Sequence, residues 1–416
     1  MHVFDRSMAE NNIAAMFAVF GLAALGGSLV TGLLAVSGIW ALICLAIGRL
    51  SRQRDPALFG FGAVVILYVG VNALFFLVHF GENFDSSLAE LRKLAPLLLF
   101  LTPLFLMQRL AVSRGGDLLV AMSRAAAIGA LAVLPLALFQ TFVLDMRAEG
   151  GSGNAIPFAM TCALLSSLSL PSLLDADRRW RLLGILGFVA GYLCIFLSQT
   201  KGLMPAPLVA AIIFGIFFLR KRVSGAQILF GAALVLVVAV VGFFVSGSGH
   251  RFSELSKLAA GSNDIAWGAS YTVRLDLWTK AFDLIQSGFF DGHGIQNRRA
   301  LIQAAGHNYS HFHNGFITAL VDGGVLGLIA LVVLLVAPFV IALRAARDAF
   351  YGMRLFMAFC LVMTYVLGGM TNFIFGHDIY DAMFLWISTV IVVSAVVSTN
   401  TDALGDPEGA TAAKAE

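Results

Sequence analysis

The stretch Gly306-His307-Asn308-Tyr309-Ser310-His311-Phe312-His313-Asn314 places three imidazoles close together. Histidine titrates near neutral pH and serves as a general base or a metal ligand. The spacing His307-x3-His311-x-His313 leaves three readings open. Three histidines can hold a catalytic zinc, although no Asp or Glu falls between Asp291 and Asp322 to complete such a site. The rings can be solvated or cap a following helix. Or one of them can take the proton of a substrate hydroxyl.

Two cations could serve the same chemistry. Lys201, in Ser198-Gln199-Thr200-Lys201-Gly202, sits between two apolar runs, where a charge is costly and is a functional candidate by default. It can grip a lipid-linked phosphate, or it can snorkel to the headgroups. Arg274 belongs to a segment in which Ser270, Arg274 and Trp278 recur at i, i+4 and i+8, on one helical face. Its alternatives are a surface pair with Asp276 or a headgroup contact. Asp322 opens an apolar run and should face the bundle interior or the interface. A continuous helix would set it on the face opposite His313, so the two are not expected to form a dyad. Gly323, Gly324 and Gly327 should allow close helix packing.

The elements that position these residues are membrane spans. Of 416 residues, 59% are hydrophobic and 12% charged, with a net charge of +3. Soluble domains carry about 25% charged residues, so a soluble enzyme, a disordered chain and a nucleic-acid-binding domain are excluded. Runs of about 17–25 apolar residues recur at 13–29, 32–48, 58–80, 94–111, 119–143, 155–172, 181–198, 202–219, 226–246, 315–343, 354–375 and 380–398. Strand-period alternation is absent. The sequence predicts an all-α polytopic membrane protein of about 12 transmembrane helices. Within 13–48 the Gly26-Gly27-Ser28 break favours a hairpin, and one long tilted helix is the alternative.

A cytoplasmic N-terminus puts most of the 27 Lys and Arg inside, as the positive-inside bias requires. The C-terminus then returns to the cytoplasm. The expected organisation is nine spans in 1–246, a long outer loop at 247–314, three spans in 315–399 and a disordered tail at 400–416. That loop holds five of the eight histidines, His250, His293, His307, His311 and His313, besides Trp267 and a turn at Gly292-His293-Gly294. Its apolar content predicts ordered helices packed on the membrane. The four cysteines all fall in spans, where a disulfide framework is not expected.

With these residues in place, His313-Asn314 followed nine residues later by Gly324-Val325-Leu326-Gly327 resembles the signature of the bacterial O-antigen ligase and polymerase superfamily. His311-Phe312, the Ser270-x3-Arg274-x3-Trp278 element and the Gly292-x-Gly294 turn match in type and order. The resemblance implies an inverting glycosyltransferase of the bacterial inner membrane with its site facing the periplasm. Its donor would be a glycan on undecaprenyl pyrophosphate, and its acceptor a lipid A-core sugar or a lipid-linked glycan. It implies His313 as catalytic base, Arg274 and Lys201 as the pyrophosphate clamp, and His311, Asn314 and Trp278 in support. The family has an arginine where Lys201 stands, and lysine lacks the planar two-pronged guanidinium. That departure leaves room for a polymerase of O-antigen or exopolysaccharide repeats. No cofactor and no metal are expected, because a pyrophosphate leaving group needs only cations to neutralise it. A multi-span transporter is the alternative from another class, and it would show broken helices in paired halves.

Overall fold

The computed structural model describes residues 7–81, 91–219, 240 and 269–403. Among them are α1 (Met8–Gly26), α2 (Leu29–Ala46), α3 (Pro56–Val78), α4 (Ala95–Leu99), α5 (Pro103–Leu110), α6 (Gly115–Phe142), α7 (Ala155–Ser169) and α8 (Arg178–Leu197). After these come α9 (Pro205–Phe214), α10 (Ala269–Ser287), α11 (Arg298–Ala304), α12 (Gly315–Arg344), α13 (Tyr351–Thr371) and α14 (Asp378–Ala403). No strand occurs among the described residues, and ten helical segments there are long and apolar enough to cross a membrane. The chain is an all-α polytopic membrane protein. The expected span 226–246, save residue 240, lies outside the described residues, as do His250, Trp267 and everything after 403.

The helix ends follow local chemistry. Ser7 and Glu10 form a reciprocal cap on α1. Asp55 caps α3 by accepting from the Ala57 N–H at 2.7 Å, with Pro56 in the first turn, where its missing donor costs nothing. The 13–48 run is two helices that part at Gly27, whose φ of 53° suits glycine and whose backbone lies against Gly151. The expected 94–111 span is instead two short helices, α4 and α5. Pro103 opens the second and cannot donate back into the first. The last helix runs to Ala403, a few residues beyond the expected span end.

Turns gather toward two ends of the bundle. Gly27 lies against Gly151 of the 143–154 turn, Arg147 of that turn donates to the Ser198 carbonyl beside Lys201, Gly202 lies on Thr371, and Gly315 at the start of α12 lies on Ile374 of the 372–377 turn. Asp55 at the start of α3 and Arg344 at the end of α12 line one groove toward the other end. α14 is the central helix: its membrane-crossing stretch is buried throughout, against a third for α2, which shows most of its surface to lipid. Close packing rests on small residues, as lipid-immersed helices require. Gly187 lies on Ala127, and Gly129 on the Phe20 carbonyl. Buried charge is paired. Arg354, fully buried, donates to Asp348 at 2.9 Å and to Ser394 Oγ at 3.1 Å and its carbonyl at 3.0 Å.

Candidate functional site

The long loop is ordered over its described part, with a small core of its own. Leu277, Ala281 and Ile285 of α10, Ile302 of α11, Phe312 and Val321 of α12 are buried together. This cluster fixes the face of α10 that carries Arg274 and Trp278. Trp278 is half-buried, and its indole N–H donates to the Phe312 carbonyl at 2.9 Å. The side chain picked out by helical spacing thus ties α10 to the histidine segment.

The histidine segment ends in a tight turn. His313 has φ of 52°, a left-handed conformation uncommon outside glycine. Its backbone N–H donates to His311 Nδ1 at 3.0 Å, and the two rings meet edge-on at 4.4 Å. Asn314 caps α12, accepting from the Phe316 and Ile317 N–H groups at 3.0 and 3.1 Å. The two supporting residues therefore divide the work: His311 orients His313, and Asn314 starts the helix. Burial and the nearby Arg274 guanidinium lower the His313 pKa to about 4. Burial, then His313, Arg298 and Arg274, lower that of His311 to about 3. Both rings are neutral at pH 7, so each can accept a proton. His313 Nδ1 is buried without a hydrogen-bond partner.

The other two loop histidines among the described residues make structural contacts. His293 Nε2 meets the Leu284 carbonyl at 2.8 Å at the end of α10. His307 Nε2 meets Asp276 of α10 at 2.6 Å. Among the described residues no three His, Cys, Asp or Glu side chains gather as a metal site would need.

Lys201 is half-buried in the short turn Lys201–Leu203 between α8 and α9. The turn's Gly202 lies against Thr371, and two residues further Phe373 packs edge-on to His311 at 4.8 Å. Lys201 and the histidine turn are thus joined by the end of α13, on the same face of the bundle. Gln199, just before, shares the left-handed conformation of His313, with φ of 56°. Arg147 steadies this turn, donating from Nε to the Ser198 carbonyl at 2.9 Å and from Nη2 to Thr200 Oγ1 at 3.3 Å. Sequence reasoning passed over Arg147. Its only signal was being a cation in a short connection otherwise poor in them.

Asp322 faces inward, 6% exposed, in a two-pronged pair with Arg298: Nε donates to Oδ1 at 2.9 Å and Nη2 to Oδ2. α12 breaks just after it, at Gly323 and at Gly324 with φ of 58°. The glycines do more than allow helix packing. The 288–294 turn docks where the helix opens, and a Cβ on Gly324 would collide with the Phe290 backbone. The freed Val321 and Asp322 carbonyls accept from the His293 and Gly294 N–H groups, each at 2.8 Å, and the Val325 N–H donates to Phe289 at 2.9 Å. A broken helix needs such partners at membrane depth.

Fold and site together define a polytopic helical membrane protein in which the histidine turn, the α10 helix that carries Arg274 and the Lys201 turn are linked through Trp278 and the end of α13. Residues 186–332 match the family model described as O-antigen ligase, in line with the resemblance carried by His313-Asn314 and Gly324-Val325-Leu326-Gly327. The match begins within α8 and takes in the Lys201 turn, the Arg274 helix and α12 through its glycine break. No curated protein matches the chain.

Proposed function

We propose that the protein is an inner-membrane glycosyltransferase that moves a glycan from undecaprenyl pyrophosphate to a sugar hydroxyl at the periplasmic face, with lipid A-core as acceptor. The observation that supports the reading is the hydrogen bond by which Trp278, one helical turn after Arg274 on α10, holds the Phe312 carbonyl beside His313 at 2.9 Å. His313 removes the acceptor proton as the hydroxyl oxygen attacks the anomeric carbon from the face opposite the leaving group. The bond to pyrophosphate breaks with inversion, and Arg274 and Lys201 neutralise the departing charge without a metal. A pyrophosphate bound on Arg274 also offsets the positive charge that holds the His313 pKa down, so donor binding strengthens the base.

A transporter is disfavoured by the placement of these groups at one end rather than at mid-membrane. The break in α12 is filled by the 288–294 turn, whose backbone pairs with the freed groups. Lysine at position 201 favours the polymerase as the second reading.

His313→Asn tests the base, since asparagine tolerates the left-handed backbone that alanine resists. With purified protein and a lipid-linked glycan, transfer should fall by more than about 100-fold while donor binding persists. Retained turnover would remove His313 from the chemistry. Gene deletion separates the readings by surface glycan on a gel. Loss of all glycan from lipid A-core marks a ligase, and single repeats still attached mark a polymerase.

A further inference from the structure

A groove of about 860 Å³ opens between α3 and α12 at the end of the bundle away from His313. Its walls are apolar, with Val64 on α3, Val336 and Val340 on α12 and Ala395 on α14, and its mouth carries Arg344 and Asp55. From Val332 to Arg344 it follows α12 for about 18 Å at 1.5 Å per residue. That is close to one leaflet of a hydrocarbon core about 30 Å thick. In volume it lies in the range of small-molecule sites, roughly 300–1,000 Å³.

The charge at the mouth selects the occupant. Arg344 is exposed, and Arg52, Arg54 and Arg347, all exposed, flank the lining residues in sequence. Asp55 is the single carboxylate there, and its oxygen already caps α3 through Ala57. Asp348, the next acid along the chain, is held by buried Arg354. The mouth is therefore net positive at headgroup level, beside a channel one acyl chain deep. A membrane-spanning polyprenyl chain would overrun it, whereas a two-chain phospholipid of one leaflet would not.

We propose that this groove is a binding site for one anionic glycerophospholipid, its acyl chain along α12 and its phosphate on Arg344. The site is remote from the histidine turn and independent of the transfer chemistry.

Native mass spectrometry of the full chain, with dioleoyl phosphatidylglycerol and dioleoyl phosphatidylcholine as probes, tests it. One phosphatidylglycerol per chain should be retained in preference to phosphatidylcholine. Val336→Trp, which fills the groove, should abolish that retention. Arg344→Ala and Arg344→Glu sit at an exposed position that packing does not depend on. They should weaken retention about 5-fold and about 25-fold, following the pull of each interfacial cation on an anionic lipid. Equal retention of the two lipids, wild-type retention in Arg344→Glu, or displacement by undecaprenyl phosphate would each overturn the proposal. None of these outcomes bears on the role of His313, which is read by glycan transfer.

Discussion

The indole N–H of Trp278 donates to the carbonyl oxygen of Phe312, one residue before His313, across 2.9 Å. Arg274 stands one helical turn before Trp278, so a single helix both supplies the cation and holds the backbone of the histidine turn. Geometry between the two is therefore fixed within one small core, not across the whole bundle.

Trp278→Phe keeps the ring in that core and removes only the donor. The Phe312 carbonyl then loses its partner at a cost of about 1 kcal/mol. The expected outcome is a fall in kcat of about 10-fold with little change in KM for the lipid-linked donor. A wild-type kcat would show that His313 is held by its other contacts alone.

The pH profile should report the pair His313–Arg274. A base must be unprotonated, so activity is lost as pH falls through its pKa. In the free enzyme that pKa is lowered to about 4 by burial and by Arg274. The acid limb of kcat/KM, which reports the free enzyme, should therefore lie near pH 4. Arg274→Gln removes the second cause and should move the limb upward, toward the ordinary histidine value. A limb that stays in place in Arg274→Gln would show that burial alone sets it.

Lys201 offers charge where the resembling family has arginine. Lys201→Arg should keep donor affinity if charge alone matters, and Lys201→Ala should weaken it by about 10-fold or more, in line with loss of a charge-assisted contact. Binding of a lipid-linked donor to purified protein distinguishes them. Unchanged affinity in Lys201→Ala would leave the lysine as an interfacial anchor.

The spans were legible because each needs about 20 apolar residues and nothing else in a sequence looks like that. Of the eleven expected spans that the described residues cover, only 94–111 falls short of a span-length helix, and Pro103 was the visible reason. His313, Arg274 and Trp278 were legible because each is spaced on a short motif. The Arg298–Asp322 pair was not. The partners are 24 residues apart on two different helices, α11 and α12, so no helical spacing connects them. The need for a partner was readable, since an acid in an apolar run must be paired. Which cation met it depended on how the loop docks.

That pair makes a stability prediction. Arg298 and Asp322 are both largely buried, with side chains 15% and 8% exposed. Removing one partner of a buried pair typically costs about 3–5 kcal/mol, because a charge is left without compensation. Replacing both by apolar groups of similar volume is often close to neutral. Asp322→Ala should therefore lower the thermal unfolding midpoint in detergent sharply, and Arg298→Met with Asp322→Leu should restore most of it. Activity should not follow stability. Arg298 also lies near His311, whose pKa its charge helps to lower, and the pair anchors the docked turn at the break in α12. The double variant should thus be stable but impaired in transfer, and a variant both stable and fully active would reduce the pair to a packing device.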